Sequence, residues 1–217
     1  MPPAGKRRGK YLGFVAHEIK NPLATALWSC DLLKRLEGAD RTGPRAEKML
    51  DVSLRALRRM RRLVDDYFMI ERLQENGYDL RRENVTLKDL VDGAVQALGE
   101  KDGFKTQGWT TDIADATVQG DADMLRRCLR MVFEHMARGT PEPKLSVLGH
   151  LETATCTLLV RAVTPPQPLV PPDPEERPSG DTTGGVLGYA LAEHILAVHA
   201  GKLEERDGAL LVTLPIG

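Results

Sequence analysis

Aromatic residues make up only 5% of these 217 positions, so the core must be mainly aliphatic. There are three cysteines, Cys30, Cys128 and Cys156. They show neither paired nor metal-ligand spacing, which suits a reducing cytoplasm. No apolar stretch approaches the roughly 20 residues of a membrane span, so no direct membrane segment is expected. The opening MPPAGKRRGK is basic but lacks the apolar core of a signal peptide. Net charge is -1, so no global field recruits nucleic acid or a lipid surface. What is present, 41% hydrophobic and 28% charged side chains, suits an ordinary globular chain of one or two domains, expected in the cytoplasm.

Two long helices are predicted first, over about 10–37 and 45–74, parted by the turn cluster EGADRTGP. In the first, Phe14, Leu23, Leu27, Cys30 and Leu33 recur at three- and four-residue steps, widened by Val15, Ile19 and Ala26. In the second, Leu50, Ser53, Leu57, Met60, Val64, Tyr67 and Glu71 keep a near-heptad step. Two such helices cannot bury both stripes on each other, so pairing of two copies into a four-helix bundle is expected. The run RALRRMRRL reads as a solvated basic face or as a docking surface for an acidic partner.

From about Leu80 strands and helices alternate. A helix opens at Thr86 and Asp89 in capping positions, and another carries Leu125, Leu129, Val132 and Met136 on one face. KLSVLGHLETATCTLLVRAV reads as a hairpin turning near Gly149 and His150, and GKLEERDGALLVTLPI as a terminal hairpin turning at RDG. TPPQPLVPPDPEERPSGDTTGG is a long Pro/Gly loop. The expected class is α+β: an antiparallel helical hairpin over 1–78, forming a dimeric bundle, then an α/β sandwich over 79–217 with helices on one sheet face.

FVAHEIKNPL resembles the H box of two-component histidine kinases. LVDDYFMIERLQENGYDLRRENVTLKDLV is similar to the end of their second bundle helix and the approach to their ATP-binding domain. GDADMLRRCLRMVFEHMARGT resembles their N box. GGVLGYALAEHILAVHAGKLEERDGALLVTLPIG is similar to their G2 box, last helix and closing hairpin. The resemblance implies that His17 is the phosphoacceptor, that Glu18 orients the ring and takes up its proton, and that Asn21 orients water against a partner's aspartyl phosphate. Elementary chemistry agrees: an imidazole of ordinary pKa, about 6.5, is mostly neutral near pH 7 and nucleophilic. Pro22 deprives the Glu18 carbonyl of its helical donor and should bend the helix there. Receiver domains of response regulators are expected to dock around His17, with Ala16, Lys20 and Leu23 nearby.

The ATP-binding half departs from the family pattern. Met131 and His135 stand where the N box has asparagines, the second of them a magnesium ligand. Ala162, Thr164 and Pro166 stand where an Asp-x-Gly-x-Gly motif is expected. The phenylalanine-rich lid is missing between Pro165 and Gly184. Gly184, Gly185 and Gly188 preserve the G2 box in part. His150 is placed in a turn, and His194 and His199 are read as structural, so no metal site is assigned. Phosphoryl transfer from ATP depends on positioning and on the metal, so no cofactor is expected. ATP and Mg enter only if the chain is a divergent autokinase. The leading expectation is a histidine phosphotransferase that exchanges a phosphoryl group between His17 and receiver aspartates. The alternatives are that autokinase and a pseudokinase scaffold that pairs with a true kinase. Input is expected from a separate protein or from sequence outside this chain.

Overall fold

Helix-favouring runs and caps set the element order. A computed structural model describes residues 9–75, 78–102, 106, 108–138, 142–163 and 183–216. Two compact units divide the chain, Met1–Glu71 and Arg72–Gly217. The first is built from α1 (Gly9–Lys34), a short 3-10 turn (Gly38–Arg41) and most of α2 (Pro44–Gln74). Among the described residues no helix is long and apolar enough to cross a membrane.

α1 and α2 pack antiparallel, but not through the leucines that the periodicity selects. Val15, Pro22, Ala26 and Ser29 of α1 are buried, as are Ala46, Ser53, Ala56 and Leu63 of α2. Small side chains let the backbones approach closely enough for hydroxyl-to-carbonyl bonds between helices. Ser29 donates to the Met49 carbonyl at 2.7 Å, and Ser53 donates to the Ala26 carbonyl at 3.4 Å. Val15, Ala26 and Ser53 of the expected stripes are buried, whereas at Leu23, Leu27 and Leu57 the seam runs one residue before the expected one. Leu23, Leu27, Leu50 and Leu57, expected inside, are exposed, together with Leu12, Leu54 and Phe68. Helix α1 continues through Pro22 without a break.

In the second unit, β1 (Glu83–Thr86) leads into α3 (Leu87–Asp102), followed by β2 (Thr110–Ile113), β3 (Thr117–Gly120), α4 (Ala122–Met136), β4 (Leu145–Leu151), β5 (Thr155–Ala162), α5 (Thr183–Val198), β6 (Lys202–Arg206) and β7 (Ala209–Pro215). The Thr86 hydroxyl accepts from the Asp89 amide at 3.1 Å and donates to the Asp89 carboxylate at 2.7 Å, which closes the expected cap of α3. Asp121 caps α4 by accepting from the Met124 amide at 3.1 Å.

The main sheet runs β2-β4-β5-β7-β6, and β1 pairs with β3 in a two-stranded ladder. β2 and β4 are parallel, whereas β4-β5, β5-β7 and β6-β7 are antiparallel. Cys156, Leu158 and Val160 of β5, with Leu210, Val212 and Leu214 of β7, are buried at alternate positions. α3, α4 and α5 pack in that order, and α4 and α5 meet the sheet. The hairpin of β4 and β5 turns later than expected: Gly149 and His150 pair with Leu158 and Thr157 inside the ladder. His150 is thus an exposed strand residue, not a turn residue.

Candidate functional site

In the helical unit, His17 and Glu18 are sequence neighbours in opposite environments. On a helix, consecutive residues diverge by about 100°, so one can face the partner helix while the other faces water. The His17 side chain is 50% exposed and that of Glu18 only 3%. The Glu18 carboxylate turns back to the ring, with Oε1 at 3.3 Å from His17 Nδ1. A carboxylate only accepts, so this contact favours a proton on Nδ1 and leaves the lone pair on Nε2. Pro22 lies buried on the Glu18 side, and Asn21 is exposed one turn beyond His17. Ala16 and Lys20 are also exposed. Leu23 is exposed as well, but it falls on the edge that carries Leu27, one quarter-turn past buried Pro22.

In the sheet unit, the end of α4 meets the start of α5. Met131 is buried, and a Cβ added at Gly188 would stand 3.7 Å from its Cγ. His135 is buried beside Tyr189, with ring centroids 5.1 Å apart. Its Nδ1 accepts from the Arg138 guanidinium at 2.9 Å. Burial, reinforced by the positive charge of Arg138, lowers the His135 pKa to about 4. The same guanidinium lies against Gly185 so closely that any Cβ there would overlap it. Met131, His135, Gly185 and Gly188 therefore converge. Ala162 ends β5, and Gly184 is placed only as part of the first turn of α5. Thr164 and Pro166 lie outside the described residues, as does the segment where a lid was sought. Neither Met131 nor His135 carries the oxygen donor that magnesium prefers.

Arg138 is the residue that sequence reasoning passed over. Its signal was its place in EHMAR, one helical turn after His135. At the other end of the helix pair, His199 is fully enclosed. Its Nδ1–H donates to the Ile195 carbonyl at 2.7 Å, and its Nε2 accepts from the Asp121 amide at 3.0 Å. Burial lowers its pKa. The Nε2 of His194 accepts from the Gln74 amide at 3.1 Å.

The family model described as the His Kinase A (phospho-acceptor) domain matches residues 7–76. Sensor protein VanS of Enterococcus faecium is 22% identical over 213 residues, covering 92% of this chain and 54% of that protein. The chain thus spans about half the length of the curated relatives it matches. Among solved structures, the Acinetobacter baumannii histidine kinase AdeS superposes with a TM-score of 0.68 at 17% identity, covering 93% of this chain and 97% of that one. Histidine kinase ThkA, solved in complex with response regulator protein TrrA, gives 0.59 at 18% identity over 96% of this chain and 61% of that one. At such identities the structural likeness concerns the fold. Together with the domain match, it shows that residues 7–76 match the phospho-acceptor domain and that the chain shares the fold of a histidine kinase core, a helical hairpin followed by an ATPase-like sheet domain.

Proposed function

We propose that this chain is a dimeric phosphorelay protein that carries a phosphoryl group on His17 and exchanges it with receiver aspartates of response regulators. The observation that carries this reading is the pairing of an open imidazole with a buried carboxylate on its Nδ1 side. In the forward step His17 Nε2 attacks the phosphorus of an aspartyl phosphate. The N–P bond forms as the P–O bond to the aspartate breaks, the aspartate leaves as carboxylate, and the Nδ1 proton moves toward Glu18. The reverse step loads a second receiver. Asn21, on the exposed side next to the ring, orients water when the relay is drained by hydrolysis. Ala16 and Lys20 provide open surface for the receiver. A second copy of the chain covers the edge bearing Leu12, Leu23, Leu27, Leu50, Leu54 and Leu57.

The sheet domain on this reading serves docking or shape, not ATP chemistry. Arg138 fills the approach to Gly185, and the N-box positions offer a thioether and an engaged imidazole. One observation favours a divergent autokinase instead: the cationic Arg138 beside the first turns of α5 would match a polyphosphate. Two measurements separate the readings. Mixed with a phosphorylated cognate receiver, the protein gains acid-labile label, and His17→Gln gains none; absence of transfer from every cognate receiver refutes the relay. Calorimetry with magnesium ATP gives no binding heat; binding, with label from ATP that His17→Gln abolishes, establishes the autokinase.

A further inference from the structure

The run RALRRMRRL was open to two interpretations from sequence, and the hairpin register gives it a place. Ser29 faces Met49, and Ser53 faces Ala26. The buried positions continue this antiparallel register, with Pro22 opposite Ala56 and Val15 opposite Leu63. Carried on, it sets His17 level with Arg61 and Arg62, and Asn21 level with Leu57 and Arg58.

Helical geometry then fixes the side. Relative to the buried seam, Leu23, Leu27 and Leu57 each lie one residue after a buried position and Leu50 one residue after half-buried Met49, and all fall on one edge of the hairpin. His17 and Asn21 lie one residue before buried Glu18 and Pro22, on the opposite edge. Arg62 lies one residue before buried Leu63, and Arg59 one turn before it, so both share the His17 edge. Arg59 is half-buried and Arg62 exposed. Arg61 belongs to the other edge, where its guanidinium pairs with Asp65 at 3.6 Å.

We infer that Arg59 and Arg62 form an anion-binding wall for the phosphoryl group on His17. The inference rests on the phosphoacceptor reading above and adds to it a binding function for α2. A phosphoryl group attached at Nε2 adds two negative charges on the edge that carries two arginines, Arg62 about level with His17 and Arg59 about one turn away. Arginine presents a planar fork of donors suited to phosphate oxygens. The arginines lower the free energy of the dianion and so extend the pH range in which it is fully ionised.

The test uses the whole protein loaded chemically with phosphoramidate. In that step the N–P bond to His17 forms, the donor's own P–N bond breaks, ammonia leaves, and the Nδ1 proton is released toward Glu18. The readout is the pH midpoint of the phosphohistidine signal in phosphorus NMR. In Arg59→Gln/Arg62→Gln the midpoint should rise by about half a pH unit, the scale of one to two charges acting through a water-rich edge. It should rise by less in each single variant and not at all in Arg61→Gln. Helical circular dichroism confirms that each variant is folded. A loaded double variant with an unmoved midpoint overturns the inference while leaving the phosphoacceptor reading intact, and so does an equal shift in Arg61→Gln. Failure of the native protein to load at His17 refutes both.

Discussion

Acid should loosen the sheet domain through one imidazole. His135 is 8% exposed, and its Nδ1 is already filled by a donor from Arg138. Its pKa falls to about 4 in the folded state, against about 6.5 for an unfolded histidine. Because the folded pKa is the lower one, the unfolded chain binds the extra proton first. The neutral ring's contribution is therefore complete above pH ~6.5, declines as pH falls, and is gone once pH passes below ~4. At about 1.4 kcal/mol per pH unit, the interval amounts to roughly 3 kcal/mol, a large share of a domain's usual stability. His199 adds a loss of the same sign, since burial lowers its pKa too. The assay is urea unfolding at pH 7, 5.5 and 4, followed through Trp109, which packs edge-on against Phe133 of α4. A Trp28→Phe background removes the second, exposed tryptophan. His135→Gln keeps an acceptor for Arg138 but does not titrate. Its stability should fall between pH 7 and pH 4 by about 3 kcal/mol less than that of the parent. Equal losses in the two proteins would refute the argument.

Arg138→Ala should raise the His135 pKa, because a hydrogen-bond donor and a positive charge are both removed. The value should stay below that of a free histidine, because burial is the larger cause; a nitrogen-detected NMR titration measures it. Leu27→Asp combined with Leu57→Asp should convert a dimer to a monomer in sedimentation velocity. Each leucine contributes roughly 1.5–3 kcal/mol when fully covered, and an unchanged sedimentation coefficient would remove the leucine edge as the dimer contact. His199→Phe should leave the Asp121 amide and the Ile195 carbonyl without their present partner, at about 1–3 kcal/mol each. Chemical denaturation should show the loss, and His199→Gln should show a smaller one.

The sequence told much about the helices and less about which side of them is buried. Alternation and capping located α1, α2, α3 and α4, and the Thr86–Asp89 box could be read directly from residue type and spacing. The hairpin seam could not. Leucine periodicity marks an apolar stripe, but a helix with two such stripes does not say which one meets its own neighbour. Here Ala26, Ser29, Ala46, Ser53 and Ala56 take the inner position because their small side chains permit interhelical hydrogen bonds. The leucines are left outside. Glu18 escaped in a similar way: its burial beside an exposed His17 depends on helical phase, which one residue's error reverses. The nearness of Arg138 to His135 could be read from EHMAR, but its approach to Gly185 could not, because only the fold brings the start of α5 beside the end of α4. The turn assigned to Gly149 and His150 failed because Gly149 is tolerated in a strand, where the Ile113 backbone passes close by.

Helices α4 and α5 meet at both ends through side chains of unlike kind. His199 hydrogen-bonds the Ile195 carbonyl in the last turn of α5 and the Asp121 amide at the start of α4, whereas the Arg138 guanidinium beyond the end of α4 only lies against Gly185 in the first turn of α5. Lengthwise sliding of the pair would break the His199 bond to the Asp121 amide at one end and drive α5 backbone into the Arg138 side chain at the other. Relative movement of α4 and α5 therefore has a cost at each end of the pair, a broken hydrogen bond at one and a steric clash at the other.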